Sequence, residues 1–204
     1  MKKKKVIIFD LDGVLINSAP NMKYALNQTS KKLKIDLKFS SYKNFLGLPF
    51  EKIMKNMGYA KNINLIKKNY EYFSKKKLMN TKITNQNMIK LTSLKKNYYL
   101  AIFTSKSKLR TNIILKKQKI FDHIITSDDV YYGKPHAQGI RKILKILKLI
   151  PKDALYIGDS IYDYKAAKSA KVKYRHASWG YDKKINKIRY IKKIHNLEQI
   201  KNIF

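Results

Sequence analysis

Cysteine is absent from the 204 residues. That excludes disulfides and thiolate metal sites. Arginine is scarce: of 46 basic residues only Arg110, Arg141, Arg175 and Arg189 are arginine, which leaves 42 lysines. No apolar run reaches the roughly 18 residues that cross a bilayer. Met1, four lysines and an apolar run have the outline of a signal peptide. Asp10 and Asp12 break that run before an apolar core is complete, and no small-residue cleavage site follows. The expectation is a soluble, cytoplasmic chain with no membrane partner. Internal repeats, low-complexity linkers, zinc-finger spacings, helix-turn-helix patterns and RNA-binding aromatic signatures are missing too.

What is present is positive charge. Only 13 acidic residues oppose it, and the formal net charge is +33. Such a balance invites a nucleic-acid reading. The lysines, however, are spread along the whole chain, often in pairs beside apolar helix positions, and Asn and Ile are frequent as well. This is a compositional drift, not a patch shaped for one partner. Weak, salt-sensitive contact with polyanions is expected, but no specific nucleic acid. The charge also favours an anionic substrate.

The apolar run Val6-Ile7-Ile8-Phe9 ends in Asp10-Leu11-Asp12-Gly13-Val14. A short β-branched run reads as a buried strand of a parallel sheet. An ionised carboxylate at its end is costly without a partner. Side chains two apart on an extended chain point the same way, so Asp10 and Asp12 face one small volume. Asp-Gly is also a common turn pair, and taken alone the stretch fits either reading.

Residues 17–79 hold helical patterns only, over 19–33, 40–45, 49–57 and 62–76. From residue 85 the texture alternates: helix 86–96, strand 98–103, helix 108–118, a short strand within 120–126, helix 136–147, strand 154–157, helix 161–170, a weak strand 172–177 and a last helix 196–203. Such alternation predicts a parallel sheet with helices on both faces. Each strand end carries polar residues: Asp10 and Asp12, then Thr104-Ser105, then Asp159 within Gly158-Asp159-Ser160-Ile161-Tyr162-Asp163. Ligands of open α/β sheets bind at those carboxyl ends. Asp159 and Asp163, four apart at a helix start, repel each other unless a cation lies between them. Oxygen-only donors suit a hard cation such as Mg²⁺. The alternative is that Asp159 caps the helix and Asp163 is a surface residue. Lys134, fixed between Gly133 and Pro135, is placed to offset charge at a carboxylate site.

These motifs, in this order over essentially the whole chain, resemble the haloacid dehalogenase superfamily of phosphohydrolases. The resemblance implies a Rossmann-like core, residues 1–16 and 80–204, with an inserted all-helical cap domain, residues 17–79. It makes Asp10 the nucleophile and Asp12 the general acid and base. It gives phosphate binding to Gly13, Thr104 and Ser105, with Lys134 stabilising Asp10 and the transferring group. Mg²⁺ falls to Asp10, the carbonyl of Asp12 and Asp159, with Asp163 close by. Asn17-Ser18-Ala19-Pro20, Gly47-Leu48-Pro49 and Ser178-Trp179-Gly180-Tyr181 resemble the phosphoglycolate phosphatase-like branch. Lys43 is the cap residue expected at a second anionic group of the substrate. Three departures stand out: Ser105 where Asn is common, Lys171 where Gly usually ends a helix, and His136-Ala137-Gln138 in place of a second Pro and an Asp.

The function expected is a Mg²⁺-dependent phosphomonoester hydrolase acting on a small phosphorylated anionic metabolite, with 2-phosphoglycolate the best guess. Alternatives are a β-phosphoglucomutase-like phosphomutase and a phosphatase for sugar phosphates, nucleotides or pyrophosphate. A polyanion-binding protein without catalysis ranks last, since binding alone needs no paired carboxylates. A monomer or weak homodimer is expected.

Overall fold

The computed structural model describes residues 4–78, 80–116 and 118–203. Met1–Lys3 of the signal-like start, Met79 at the expected cap boundary, Lys117 in an expected helix, and Phe204 lie outside the described residues.

Six parallel strands form one sheet: β1 (Lys5–Phe9), β2 (Tyr98–Phe103), β3 (His123–Ile125), β4 (Ala154–Gly158), β5 (Lys173–Ala177) and β6 (Lys193–Ile194). Their order is β3-β2-β1-β4-β5-β6, so the first strand is central. Ile7 sits opposite Leu100 on one side and Leu155 on the other. The pleat sends alternate residues to opposite faces. Ile7 and Phe9 meet a core that includes α5 (Asn85–Lys95) through Leu91 and Leu94, and α6 (Lys108–Leu115) through Ile114. Val6 and Ile8 face α7 (Gln138–Ile146) through Ile140, Ile143 and Leu144, and α8 (Ile161–Ser169) through Ala166 and Ala167. Burying each large aliphatic chain contributes about 1.5–3 kcal/mol.

Between β1 and β2 lie α1 (Ala19–Leu33), α2 (Phe39–Lys43), α3 (Phe50–Asn56) and α4 (Ile63–Leu78). They close on a core of their own, built from Met22, Leu26, Ile53, Met54, Ile66 and Tyr70. A buried pair joins α1 to α4: Asn21 Nδ2 donates to the Ser74 carbonyl at 2.9 Å, and the Ser74 hydroxyl donates back to Asn21 Oδ1 at 2.7 Å. This is an α/β parallel sheet with helices on both faces and an all-helical insertion. Among the described residues no helix is long and apolar enough to cross a membrane.

Several boundaries differ from expectation. The helix expected to reach 118 ends at Leu115, because Lys116 turns left-handed. The last expected helix is a 3-10 turn at Leu197–Asn202. Strand β6 was not expected, since two residues carry no periodicity; pairing with β5 creates it.

Candidate active site

The carboxyl edge of the sheet gathers the strand-end residues. The Asp10 amide donates to the Ile157 carbonyl at 2.8 Å, which continues the β1–β4 ladder one residue past the strand. Its carboxylate is almost wholly buried. Lys134, also buried, lies 2.7 Å from Asp10 Oδ1 and 2.7 Å from Asp163 Oδ1. The oxygens of Asp10, Asp159 and Asp163 all lie within 4.8 Å of one another. Thr104 is buried at the end of β2, and its Oγ1 accepts from the Lys106 amide at 3.2 Å.

The helix cap at this edge is Ser160, not Asp159. Its hydroxyl accepts from the Asp163 amide, and Asp163 Oδ2 accepts from the Ser160 amide at 3.0 Å and from the Ser160 hydroxyl at 2.6 Å. That reciprocal capping leaves Asp159 Oδ2 to accept from the Tyr181 amide at 2.6 Å. Asp163 is fully buried, which removes the surface-residue alternative. Its Oδ1 accepts from the Tyr156 hydroxyl at 2.7 Å and its Oδ2 also from the Asp159 amide at 3.2 Å.

Glycine makes this packing possible at two points. Gly13 has φ +80°, and a Cβ there would lie 2.1 Å from Asp159 Oδ2. Gly47, in the loop before α3, has φ +100°, and a Cβ there would lie 2.4 Å from the Ser160 hydroxyl. The helical insertion thus packs against Ser160, next to the carboxylate cluster. The Ser105 hydroxyl donates to the Gly47 carbonyl at 2.7 Å, a second tie across the same seam.

Electrostatics separates the carboxylates. Burial, with Asp163 and Asp12 nearby, pushes Asp10 up to about 7 despite Lys134. Burial and the charges of Asp10 and Asp163 raise Asp159 well above the usual carboxylate range. Burial opposes the ionised form of Asp12 as well, but Lys106, Ser18 and Arg110 outweigh it and hold Asp12 low. Lys106 lies 3.0 Å from Asp12 Oδ2, and the Ser18 hydroxyl donates to Asp12 Oδ1. Crowded, buried, like-charged oxygens beside Asp10 and Asp159 are what a cation relieves. The all-oxygen set fits a hard divalent ion.

One pocket brings together Asp10, Asp12, Thr104, Ser105 and Asp159. Lys43 is not among its walls. It stands exposed at the end of α2, on a neighbouring cleft that also reaches Asp159, with Asp182, Lys183 and Lys184. Four contributors had no site role assigned from the sequence: Arg110, and Ser18, Lys106 and Tyr181, which stood only as members of motifs. The Tyr181 hydroxyl accepts from the Ser18 amide at 2.7 Å and the Ala19 amide at 3.2 Å, so it clasps the start of α1. Arg110 had a usable signal, being an arginine in a chain that otherwise uses lysine.

A family model for haloacid dehalogenase-like hydrolases matches residues 7–177. The phosphoglycolate phosphatase of Aquifex aeolicus (strain VF5) is 32% identical over 188 residues, 88% of this chain and 87% of that protein. Pyrophosphatase PpaX of Bacillus thuringiensis (strain Al Hakam) is 34% identical over 88 residues, 42% of this chain and 41% of that protein. A solved structure from Lactobacillus plantarum superposes with a TM-score of 0.89 at 20% identity, over 99% of this chain and 100% of that one. At that identity the likeness speaks for the fold alone.

Proposed function

The chain belongs to the haloacid dehalogenase-like hydrolases, and from that premise we propose a magnesium-dependent phosphomonoester hydrolase whose best candidate substrate is 2-phosphoglycolate. The observation that carries the reading is the division of labour among carboxylates. Asp10, Asp159 and Asp163 crowd around one volume. Asp12 is held apart from them by Lys106 and Ser18. Similarity to the Aquifex phosphatase over most of both chains supports the substrate.

Asp10, Asp159 and the Asp12 carbonyl would hold Mg²⁺, which when bound supplies charge neutralisation to the phosphoryl oxygens and lowers the cost of ionising Asp10. Asp163 has both oxygens committed to hydrogen bonds and to Lys134, so it orients the cluster. A carboxylate oxygen of Asp10 attacks phosphorus as the ester P–O bond breaks. Asp12, ionised while the site is free, takes up a proton as the substrate brings its negative charge beside it, and the departing alkoxide receives that proton. A water then gives one of its own protons to Asp12 as its oxygen attacks the Asp10-phosphate, and the bond to Asp10 breaks. Thr104 and the amides of Ser105 and Gly13 receive phosphoryl oxygens, while Lys134 offsets charge at Asp10. Residues 17–79 act as a cap over the core of 1–16 and 80–204, excluding water.

The test is phosphate release from 2-phosphoglycolate, inorganic pyrophosphate and sugar phosphates, with Mg²⁺ and with chelator. Asp10→Asn is expected to abolish turnover. Full activity in that variant overturns the mechanism. A phosphomutase would need a bisphosphate activator and would release little phosphate. The local likeness to PpaX makes pyrophosphate the second substrate to try.

A further inference from the structure

Three cations meet at the catalytic chamber, and two are matched. Lys134 sits between Asp10 and Asp163, and Lys106 sits on Asp12. Arg110, in the first turn of α6, is different. Its Nε is buried without a hydrogen-bond partner. Its Nη2 reaches the Tyr70 hydroxyl at 3.5 Å, and the guanidinium carbon lies 5.1 Å from the centre of the Tyr70 ring. Among the described residues no carboxylate forms an ion pair with it. A phenol and a ring face supply no negative charge. Asp12 acts on it at a distance, but no anion touches it; a half-buried guanidinium in that state gains from a ligand that brings an anion into contact. Arg110 also lines the same pocket as Asp10, Asp12 and Thr104. Its planar fork matches a carboxylate or a phosphate bidentately.

We propose that Arg110 binds a second anionic group carried by the leaving side of the substrate, so that the substrates are phosphate compounds whose leaving group itself bears a carboxylate or a phosphate. The proposal rests on the hydrolase reading above and narrows its substrate class. The ring of Tyr70, on α4 of the insertion, holds the guanidinium from the other side of the seam. The specificity contact is therefore assembled by the core and completed by the cap.

The experiment compares kcat/KM for 2-phosphoglycolate, inorganic pyrophosphate and ethyl phosphate, with Mg²⁺, in the wild-type chain, Arg110→Met and Arg110→Lys. The wild type is expected to prefer one of the first two over ethyl phosphate by tenfold or more, and which one tells carboxylate from phosphate. Arg110→Met is expected to shrink that preference at least tenfold, mainly through KM, and Arg110→Lys to restore part of it. A wild type without the preference overturns the proposal. So does an Arg110→Met protein that loses activity on all three alike, which is how a purely structural latch to Tyr70 behaves. Should no compound be hydrolysed, the hydrolase reading fails instead. Calorimetric binding of the same three compounds to wild type and Arg110→Met then decides on the same preference and the same tenfold change.

Discussion

Asp163 shows how much one side chain organises. Its two oxygens accept from the Tyr156 hydroxyl, the Ser160 amide and hydroxyl, and the Asp159 amide, and they face Lys134. Asp163→Asn turns one acceptor into a donor among donors and leaves Lys134 with half its counter-charge. The expected cost is about 2–4 kcal/mol. In a chain of this length that lowers Tm by roughly 5–12 °C, readable by calorimetry. His176, on β5 opposite Gly158, predicts a pH effect. Burial lowers its pKa from 6.5 to about 4, so the folded state keeps it neutral while the unfolded state protonates more readily. Its contribution to stability is full above pH 6.5 and is lost as pH falls towards about 4. Urea midpoints at pH 7.5 and 5 should differ, and His176→Phe should flatten the difference. Asp10, Asp12 and Asp159 were legible in the sequence because each ends an apolar strand where a carboxylate has no packing role. Lys106 stood in the motif Thr104-Ser105-Lys106 but had no role assigned, because one lysine among 42 says little by itself. Ser18 was legible only as a motif member; its side chain leaves its own helix uncapped and turns to Asp12.

At the scale of elements, the helix ends hold an unusual choice. Lys34, Lys116, Lys148 and Lys171 all have positive φ, at 52°, 43°, 53° and 59°. Each follows a helix where glycine is the common residue. At Lys171 the chain closes with the Val172 amide donating to the Ala167 carbonyl at 3.0 Å, a bond that needs the left-handed turn. A side chain there costs on the order of 1 kcal/mol. Lys171→Gly and Lys148→Gly should therefore each stabilise the fold by roughly 0.5–1 kcal/mol, after the added freedom of glycine in the unfolded chain. A denaturant midpoint that stays put or falls contradicts this account. The same lysines explain the limits of reading boundaries from the pattern. The apolar pattern placed helix 19–33 and strands 98–103 and 154–157 almost to the residue, because apolar positions mark them. The end at Leu115 carried no glycine to announce it. The seam at Gly47 was visible as a Gly-Leu-Pro break, but its approach to Ser160 depends on how insertion and core close, which no local pattern encodes.

Across the whole molecule, charge and topology set the behaviour. The net charge of +33 surrounds a site built from buried carboxylates. Attraction of a small polyanionic substrate towards such a surface weakens as salt screens it. Raising ionic strength from about 20 mM to about 500 mM should increase KM for 2-phosphoglycolate roughly 3–10-fold, with kcat little changed. An unchanged KM would mean that the lysines have no part in capture. Fold class was readable because strand and helix alternate after residue 85. The order of strands was not, since no local pattern says which strand is central. That order has a consequence for biosynthesis. Among the six described strands β1 leaves the ribosome before the others, yet it pairs with Tyr98–Phe103 and Ala154–Gly158. Until both have emerged, the apolar segment Val6–Phe9 waits with two open edges, the condition under which nascent chains seek one another. The lysines at 2–5 stand directly before it as gatekeepers, repelling a second copy during that wait.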